Sequence, residues 1–185
     1  MRRPIGLTGW PRFVLWGRVG ESGELLAGPP RSTSLERVPG MAITGTHLRT
    51  LDEKLRLAVP KRFRDSLAQA DETTLFVAPE TDRSLGVFGR TVFERRATRL
   101  AEASGPPGEV RNYMRLYYSQ AEEVEIDSQG RIRIPERLAA FAQLRQEVVL
   151  LGVHDHVEIW DKSQWDQFLM SHSEQFDRLA TQAFS

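Results

Sequence analysis

Residues 126–138 read Ile126-Asp-Ser-Gln-Gly-Arg-Ile-Arg-Ile-Pro-Glu-Arg-Leu138, and residues 51–63 read Leu51-Asp-Glu-Lys-Leu-Arg-Leu-Ala-Val-Pro-Lys-Arg-Phe63. At an offset of 75 the two stretches share Asp52/Asp127, Arg56/Arg131, Pro60/Pro135 and Arg62/Arg137. Leu51/Ile126, Leu57/Ile132, Val59/Ile134 and Phe63/Leu138 exchange one apolar residue for another. The likeness resumes downstream at an offset of 72, where Leu85-Gly-Val-Phe88 matches Val157-Glu-Ile-Trp160 and Phe93 matches Trp165. A fixed offset of this kind marks an internal repeat, and a repeat decides the architecture before any single element does.

Each copy reads the same way. A strand runs up to the Asp, a tight turn spans Asp52–Leu55 or Asp127–Gly130, and the chain returns with apolar residues in alternation. Leu57 and Val59, or Ile132 and Ile134, face one side. Pro60 or Pro135 stops the strand and suits the start of a short helix, where its missing N–H is not needed. Phe63 and Leu67, or Leu138 and Phe141, point inward from that helix. A further strand pair follows, Thr74–Pro79 with Leu85–Phe88 and Glu147–Val153 with Val157–Trp160. Neither copy can bury its apolar face alone, so the two should interlock about a pseudo-two-fold axis. Between them, Phe93, Ala97 and Leu100, then Tyr113, Leu116 and Tyr117, keep helical spacing on either side of a Gly/Pro break. After them, Trp165, Phe168, His172, Phe176, Leu179 and Ala183 form one stripe of an amphipathic helix.

The expected organisation is an extension over 1–40, a first unit over 45–92, a helical linker over 93–119, a second unit over 120–165 and a C-terminal helix over 166–185. Residues 1–40 are punctuated by Gly and Pro without sustained periodicity, which argues against a packed domain. Either they form a disordered arm, or Met41 is the true start and they are an over-extended reading frame.

Composition narrows the function. The 185 residues carry 25 basic and 25 acidic side chains and no Cys. Thiol chemistry and Cys-based metal sites are excluded, and a uniformly basic coat is too. The charge is uneven, however. Arg49, Lys54, Arg56, Lys61, Arg62 and Arg64 face two acids in 49–64, whereas Glu122, Glu123 and Glu125 have no base among them in 121–126. Any nucleic-acid contact must be local. No phosphate loop, nucleophile motif or zincin motif is present, so the chain reads as a non-enzyme needing no cofactor and no metal. His154-Asp155-His156 reads as a polar turn, and His172 as a packed or interface histidine. No apolar run is long enough to span a membrane, and a cytoplasmic location is the default.

The Asp-x-x-x-Arg turn carries the chemistry. The Asp can accept hydrogen bonds from turn N–H groups and fix the loop. Gly130 supplies positive φ. The Arg presents a planar fork suited to phosphate oxygens or a guanine edge. Arg56, Arg131, Lys54, Arg62, Arg133 and Arg137 form the candidate DNA-binding set, with Asp52, Asp127 and Gly130 fixing the turns. Read as solvated side chains, Arg56 and Arg131 should be replaceable by Ala with little change in melting temperature.

The run Asp127-x-x-Gly130-Arg131, alternating apolar residues and Pro135 resembles the swapped-hairpin proteins of the AbrB and MazE type. Two tandem copies, the opening Leu51–Phe63 stretch and Val157-Glu-Ile-Trp160 resemble the MraZ family over about 41–170. The resemblance implies an α+β fold of two tandem swapped-hairpin units in a pseudo-two-fold, barrel-like core, with amphipathic helices between and after them. It implies a nucleoid-associated transcription regulator, a repressor in the first instance. Such a protein would read short direct repeats of double-stranded DNA in the promoter of the division and cell-wall gene cluster, as a ring-shaped homo-oligomer. The alternative is an antitoxin-like or assembly module of the same fold without DNA contact. One position departs from the family: Leu55 stands where Gly is usual. A non-Gly residue in left-handed geometry costs roughly 1–2 kcal/mol, so turn one either has another shape or is weakened.

Overall fold

The computed structural model describes residues 42–68, 73–102 and 105–185. The expectation for 1–40 lies outside these residues. The described elements are β1 (Thr46–Thr50), β2 (Arg56–Ala58), α1 (Lys61–Leu67), β3 (Thr74–Pro79), β4 (Leu85–Phe88), α2 (Arg90–Ala101), α3 (Pro107–Gln120), β5 (Glu122–Glu125), β6 (Arg131–Arg133), α4 (Glu136–Phe141), β7 (Glu147–Val153), β8 (His156–Asp161), α5 (Lys162–His172) and α6 (Phe176–Ala183). This is a mixed α/β fold on antiparallel sheet. Among the described residues no helix is long and apolar enough to cross a membrane.

Six strands form one sheet in the order β1-β7-β8-β4-β3-β5, and β2 pairs with β6 in a separate two-stranded ribbon. The order is a palindrome under exchange of the two repeats, since β1 corresponds to β5, β7 to β3 and β8 to β4. At its middle, Gly86 lies opposite Glu158, with Leu85 opposite Ile159 and Val87 opposite Val157. In the ribbon, Leu57 lies opposite Ile132, with Arg56 opposite Arg133 and Ala58 opposite Arg131. Adding 75 to one strand of the ribbon returns the other, so the same pseudo-two-fold passes through both ladders.

Two expectations change. The barrel-like core is not closed: β1 and β5 are the open edges of the large sheet. The strand before each Asp does not form a regular hairpin with the strand after it. β1 pairs with β7 and β5 with β3, and β1 touches β2 through the single bridge Leu51–Leu57. The reason is length. Each returning strand is three residues long, too few for a ladder with its own predecessor once the other repeat presents a matching edge. The long C-terminal stripe is also interrupted, by a short 3₁₀ turn at Ser173–Gln175 between α5 and α6.

The large sheet is apolar on both faces, as strand alternation requires. Leu75 and Val77 of β3 point into a core shared with Leu57, Phe63, Ile132, Ile134, Leu138, Leu150 and Ile159. Phe76 and Ala78 point the other way, to Phe88, Phe93 and Tyr117 under α2 and α3. Ribbon, α1 and α4 thus roof one face, and the linker helices cover the other. Trp160 anchors α5 through Trp165 and Phe168, with ring centroids 5.5 and 5.3 Å away. His172 stacks on Phe168 at 4.3 Å. Phe176 and Leu179 stay exposed.

The His154-Asp155-His156 turn is more than a polar loop. His156 is buried against Phe88. Its Nδ1 lies 3.1 Å from Asp155 Oδ1 and its Nε2 3.6 Å from Glu158 Oε1. Asp155 also accepts from Arg95 of α2, and Glu158 accepts from the Trp160 indole. Burial opposes charge on the imidazole, but the Glu158 and Asp155 carboxylates override it and raise its pKa, with Arg96 acting the other way.

Two outcomes follow. Ile132→Ala removes the side chain on the axis and should cost about 2–5 kcal/mol in denaturant unfolding, as large-to-small core changes do. Because the folded-state pKa of His156 is raised, its stabilising charge is fully present below the unfolded value and is lost as pH rises through the folded value. Melting temperature should therefore fall as pH rises from the unfolded imidazole value through the raised folded value, and His156→Phe should flatten that slope.

Candidate nucleic-acid interface

The two Asp turns have one geometry. In turn one, Asp52 Oδ1 accepts from the N–H groups of Lys54 (2.9 Å) and Arg56 (2.8 Å). Asp52 Oδ2 accepts from Arg56 Nε at 2.7 Å. In turn two, Asp127 Oδ1 accepts from Gln129 and Arg131 N–H, both at 2.9 Å, and Oδ2 accepts from Arg131 Nε at 2.8 Å. The backbone closes each loop, Leu55 N–H to Asp52 O and Gly130 N–H to Asp127 O. The Arg56 backbone N–H leads in holding Asp52 below the usual carboxylate range, against desolvation. For Asp127 the Arg131 backbone N–H leads and its side chain follows.

Asp52 and Asp127 thus each accept two turn N–H groups, and Gly130 sits at positive φ. The arginines differ from the expectation of free side chains. Arg56 and Arg131 are half-buried, with Nε committed to a carboxylate. Replacing either breaks an ion pair that fixes the turn, so melting temperature should not be indifferent to it.

Leu55 also resolves. Its φ is +57° and that of Gly130 is +74°, so turn one keeps the shape and accepts the strain. Leu55 packs onto the main core. It shares a shallow depression with Ala139, Ala140 and Gln143 of the second repeat. The two turns are also cross-linked, because Ile134 N–H donates to Leu55 O at 2.8 Å and Val59 N–H to Gly130 O at 3.1 Å.

Between the turns lies the outer face of the ribbon. Leu57 and Ile132 point inward, so Arg56, Ala58, Arg131 and Arg133 point outward. Arg56 and Arg133 are direct cross-strand partners. Like charges so placed weaken a sheet. Arg133 is 70% exposed, and its one carboxylate neighbour, Glu136, is 3.8 Å away. Lys54 is exposed in turn one.

The remaining candidates separate. Arg62 and Arg137 are repeat equivalents on α1 and α4. Arg137 donates to the Gln120 carbonyl and pairs with Glu122. Arg62 reaches Thr44 Oγ1 at 3.5 Å and makes no matching ion pair among the described residues. The residue equivalent to Glu122 is His47, which sits edge-on against Phe63. Arg137 is therefore neutralised locally and Arg62 is not. Arg64, counted within the basic stretch but not singled out, lies against turn two: a Cβ on Gly130 would sit 2.6 Å from its Cζ. The visible signal was the pairing of Leu55 with Gly130 and of Arg64 with Ala139 at the repeat offset. Among the described residues no group of three His, Asp or Glu side chains is placed to hold a metal ion.

Comparison with known proteins gives consistent results. The family described as MraZ protein matches residues 117–185. The Transcriptional regulator MraZ of Mycobacterium sp. (strain KMS) is 37% identical over 132 residues, covering 71% of this chain and 90% of the relative. That of Saccharopolyspora erythraea is 38% identical with the same coverage. The protein of the same name from Mycobacterium tuberculosis is 35% identical over 139 residues, or 75% of this chain and 94% of the relative. Since these relatives are matched over nine-tenths or more of their own length at such identity, the chain belongs to the MraZ family.

Proposed function

We propose that this protein is a sequence-specific DNA-binding transcription regulator that reads double-stranded DNA through the outer face of the β2·β6 ribbon and its two flanking Asp turns. The observation that carries the reading is the placement of Arg56 directly opposite Arg133, with Arg131 beside them. Nothing in the ribbon's own stability favours three arginines there, whereas a polyanion on that face does. A two-stranded ribbon has the width to enter a major groove. The Asp clasp takes Nε of Arg56 and leaves both its outer nitrogens for phosphate or guanine; in Arg131 it takes Nε and Nη2 and leaves Nη1. The names of the relatives support regulation of transcription.

The finer reading goes with it. On this reading the two repeats act as tandem swapped-hairpin units, and the protein acts as a nucleoid-associated repressor. It recognises short direct repeats in the division and cell-wall cluster promoter, and does so as a ring-shaped homo-oligomer. Oligomerisation fits the energetics, because one chain offers only a few contacts and linked copies raise avidity without new ones.

Fluorescence anisotropy against the DNA upstream of the protein's own gene, beside a scrambled duplex, tests this. Affinity should fall steeply with salt, since each phosphate contact releases counterions. Arg133→Ala should leave the melting temperature within about 0.5 kcal/mol of unfolding free energy and weaken DNA binding by about 1–3 kcal/mol if it reads a guanine. Arg131→Ala should lower both. Arg137→Ala should affect DNA least of the set, because Glu122 already neutralises that side chain. Equal affinity for the scrambled duplex, or binding indifferent to salt, overturns the reading and favours the antitoxin-like or assembly module.

A further inference from the structure

The two turns share a backbone and differ in how the space behind them is filled. Position 55 holds Leu and position 130 holds Gly; the helix residues that face them from the other repeat, themselves equivalent at the same offset, are inverted in size, with Ala139 on α4 beside Leu55 and Arg64 on α1 beside Gly130. Leu55 fills its own gap by packing onto the core beside the small, buried Ala139. At Gly130 the filling comes from the other repeat. The Arg64 guanidinium lies where a side chain would be, with Cζ, Nη1 and Nη2 at 2.6, 2.7 and 2.9 Å from an ideal Cβ. Its Nε is buried with no hydrogen-bond partner. A buried donor without a partner costs free energy. What offsets that cost is contact between the flat guanidinium and the buried Gly130.

We infer that Arg64 is the positioning residue of the second Asp turn, supplied by the helix of the first repeat. Turn one needs no such residue, because Leu55 provides the same packing from within the loop. Large and small residues have exchanged places across the pseudo-two-fold, and Gly130 and Arg64 form one coupled unit. The two tips are therefore unequal. Loss of the Arg64 side chain frees Gln129, Gly130 and Arg131 in the second while leaving Lys54, Leu55 and Arg56 of the first in place. What that turn does for function rests on the DNA reading above; its mechanical support by Arg64 does not.

A double-mutant cycle on the full chain tests this. Gly130→Ala should lower the melting temperature through the positive φ and by displacing the Arg64 guanidinium from the turn. In the Arg64→Ala background the same change should cost clearly less, since only the φ strain remains. Amide hydrogen exchange in Arg64→Ala should quicken several-fold at residues 129–131 and stay unchanged at 54–56, with Arg64→Lys intermediate. DNA affinity of Arg64→Ala should fall several-fold at an unaltered salt slope. Additive melting temperatures, or equal loosening of both turns, overturn the inference. A salt slope reduced by about one charge makes Arg64 a phosphate contact instead of a positioning residue and overturns it too. If wild-type protein fails to bind DNA while the cycle is non-additive and the exchange local, the DNA reading falls and the positioning role stands.

Discussion

Two three-residue strands, neither part of the large sheet, hydrogen bond to each other across the pseudo-two-fold, and the remaining architecture is arranged around that pairing. Leu57 and Ile132 meet on the axis, both essentially without solvent exposure. The reciprocal bonds from Ile134 to Leu55 and from Val59 to Gly130 extend the ladder into the two turns. An isolated ribbon of this length is not stable in water. It persists because its inner face closes the core over Leu75, Val77 and Ile159. Its pairing in turn draws the strand before each Asp away from its own repeat. β1 then completes the sheet beside β7, and β5 beside β3.

The backbone keeps this symmetry more faithfully than the side chains do. Ala58 is the repeat equivalent of Arg133, His47 that of Glu122, and Leu55 that of Gly130. Each exchange alters charge or volume without moving the chain. The consequence is electrostatic. Arg62 lacks the acid that its twin Arg137 possesses. The first repeat thus leaves Arg62 to solvent, while the second pairs Arg137 with Glu122 and keeps Arg131 and Arg133 on the ribbon. A net charge of zero over the chain is compatible with a local cationic surface for this reason alone.

Much of this was legible in the sequence because it rests on short-range chemistry. Period-two alternation gave Leu57, Val59, Ile132 and Ile134 their inward direction, and a carboxylate two and four residues before turn N–H groups determined what Asp52 and Asp127 would do. Two things were hidden. The choice between pairing with the preceding strand and pairing with the other repeat depends on competition between two edges of similar composition, and local pattern is silent on it. The clasp between Asp and Arg required knowing that the side chain folds back along its own turn instead of extending into water. Leu55 was misleading in a third way. A non-Gly residue at positive φ looks like a weakened turn until the space opposite it, emptied by Ala139, is seen to be available.

The clasp bears on how such a surface would bind. A free arginine has to be ordered when it meets its ligand, at a cost of about 2 kcal/mol of rotamer entropy for the most flexible side chains. In Arg56 and Arg131 that ordering belongs to folding, since Asp52 and Asp127 hold the Nε end and aim the rest of the fork. The same pairing cancels their net charge, so they add little to long-range attraction. Orientation and attraction are therefore divided among different residues. On the DNA reading proposed above, the clasped pair would supply a rigid reading geometry, and the unclasped Lys54, Arg62 and Arg133 the field that brings an anion to it. A surface built this way gains affinity from preorganisation more than from charge, which is what a chain with equal numbers of acids and bases can provide.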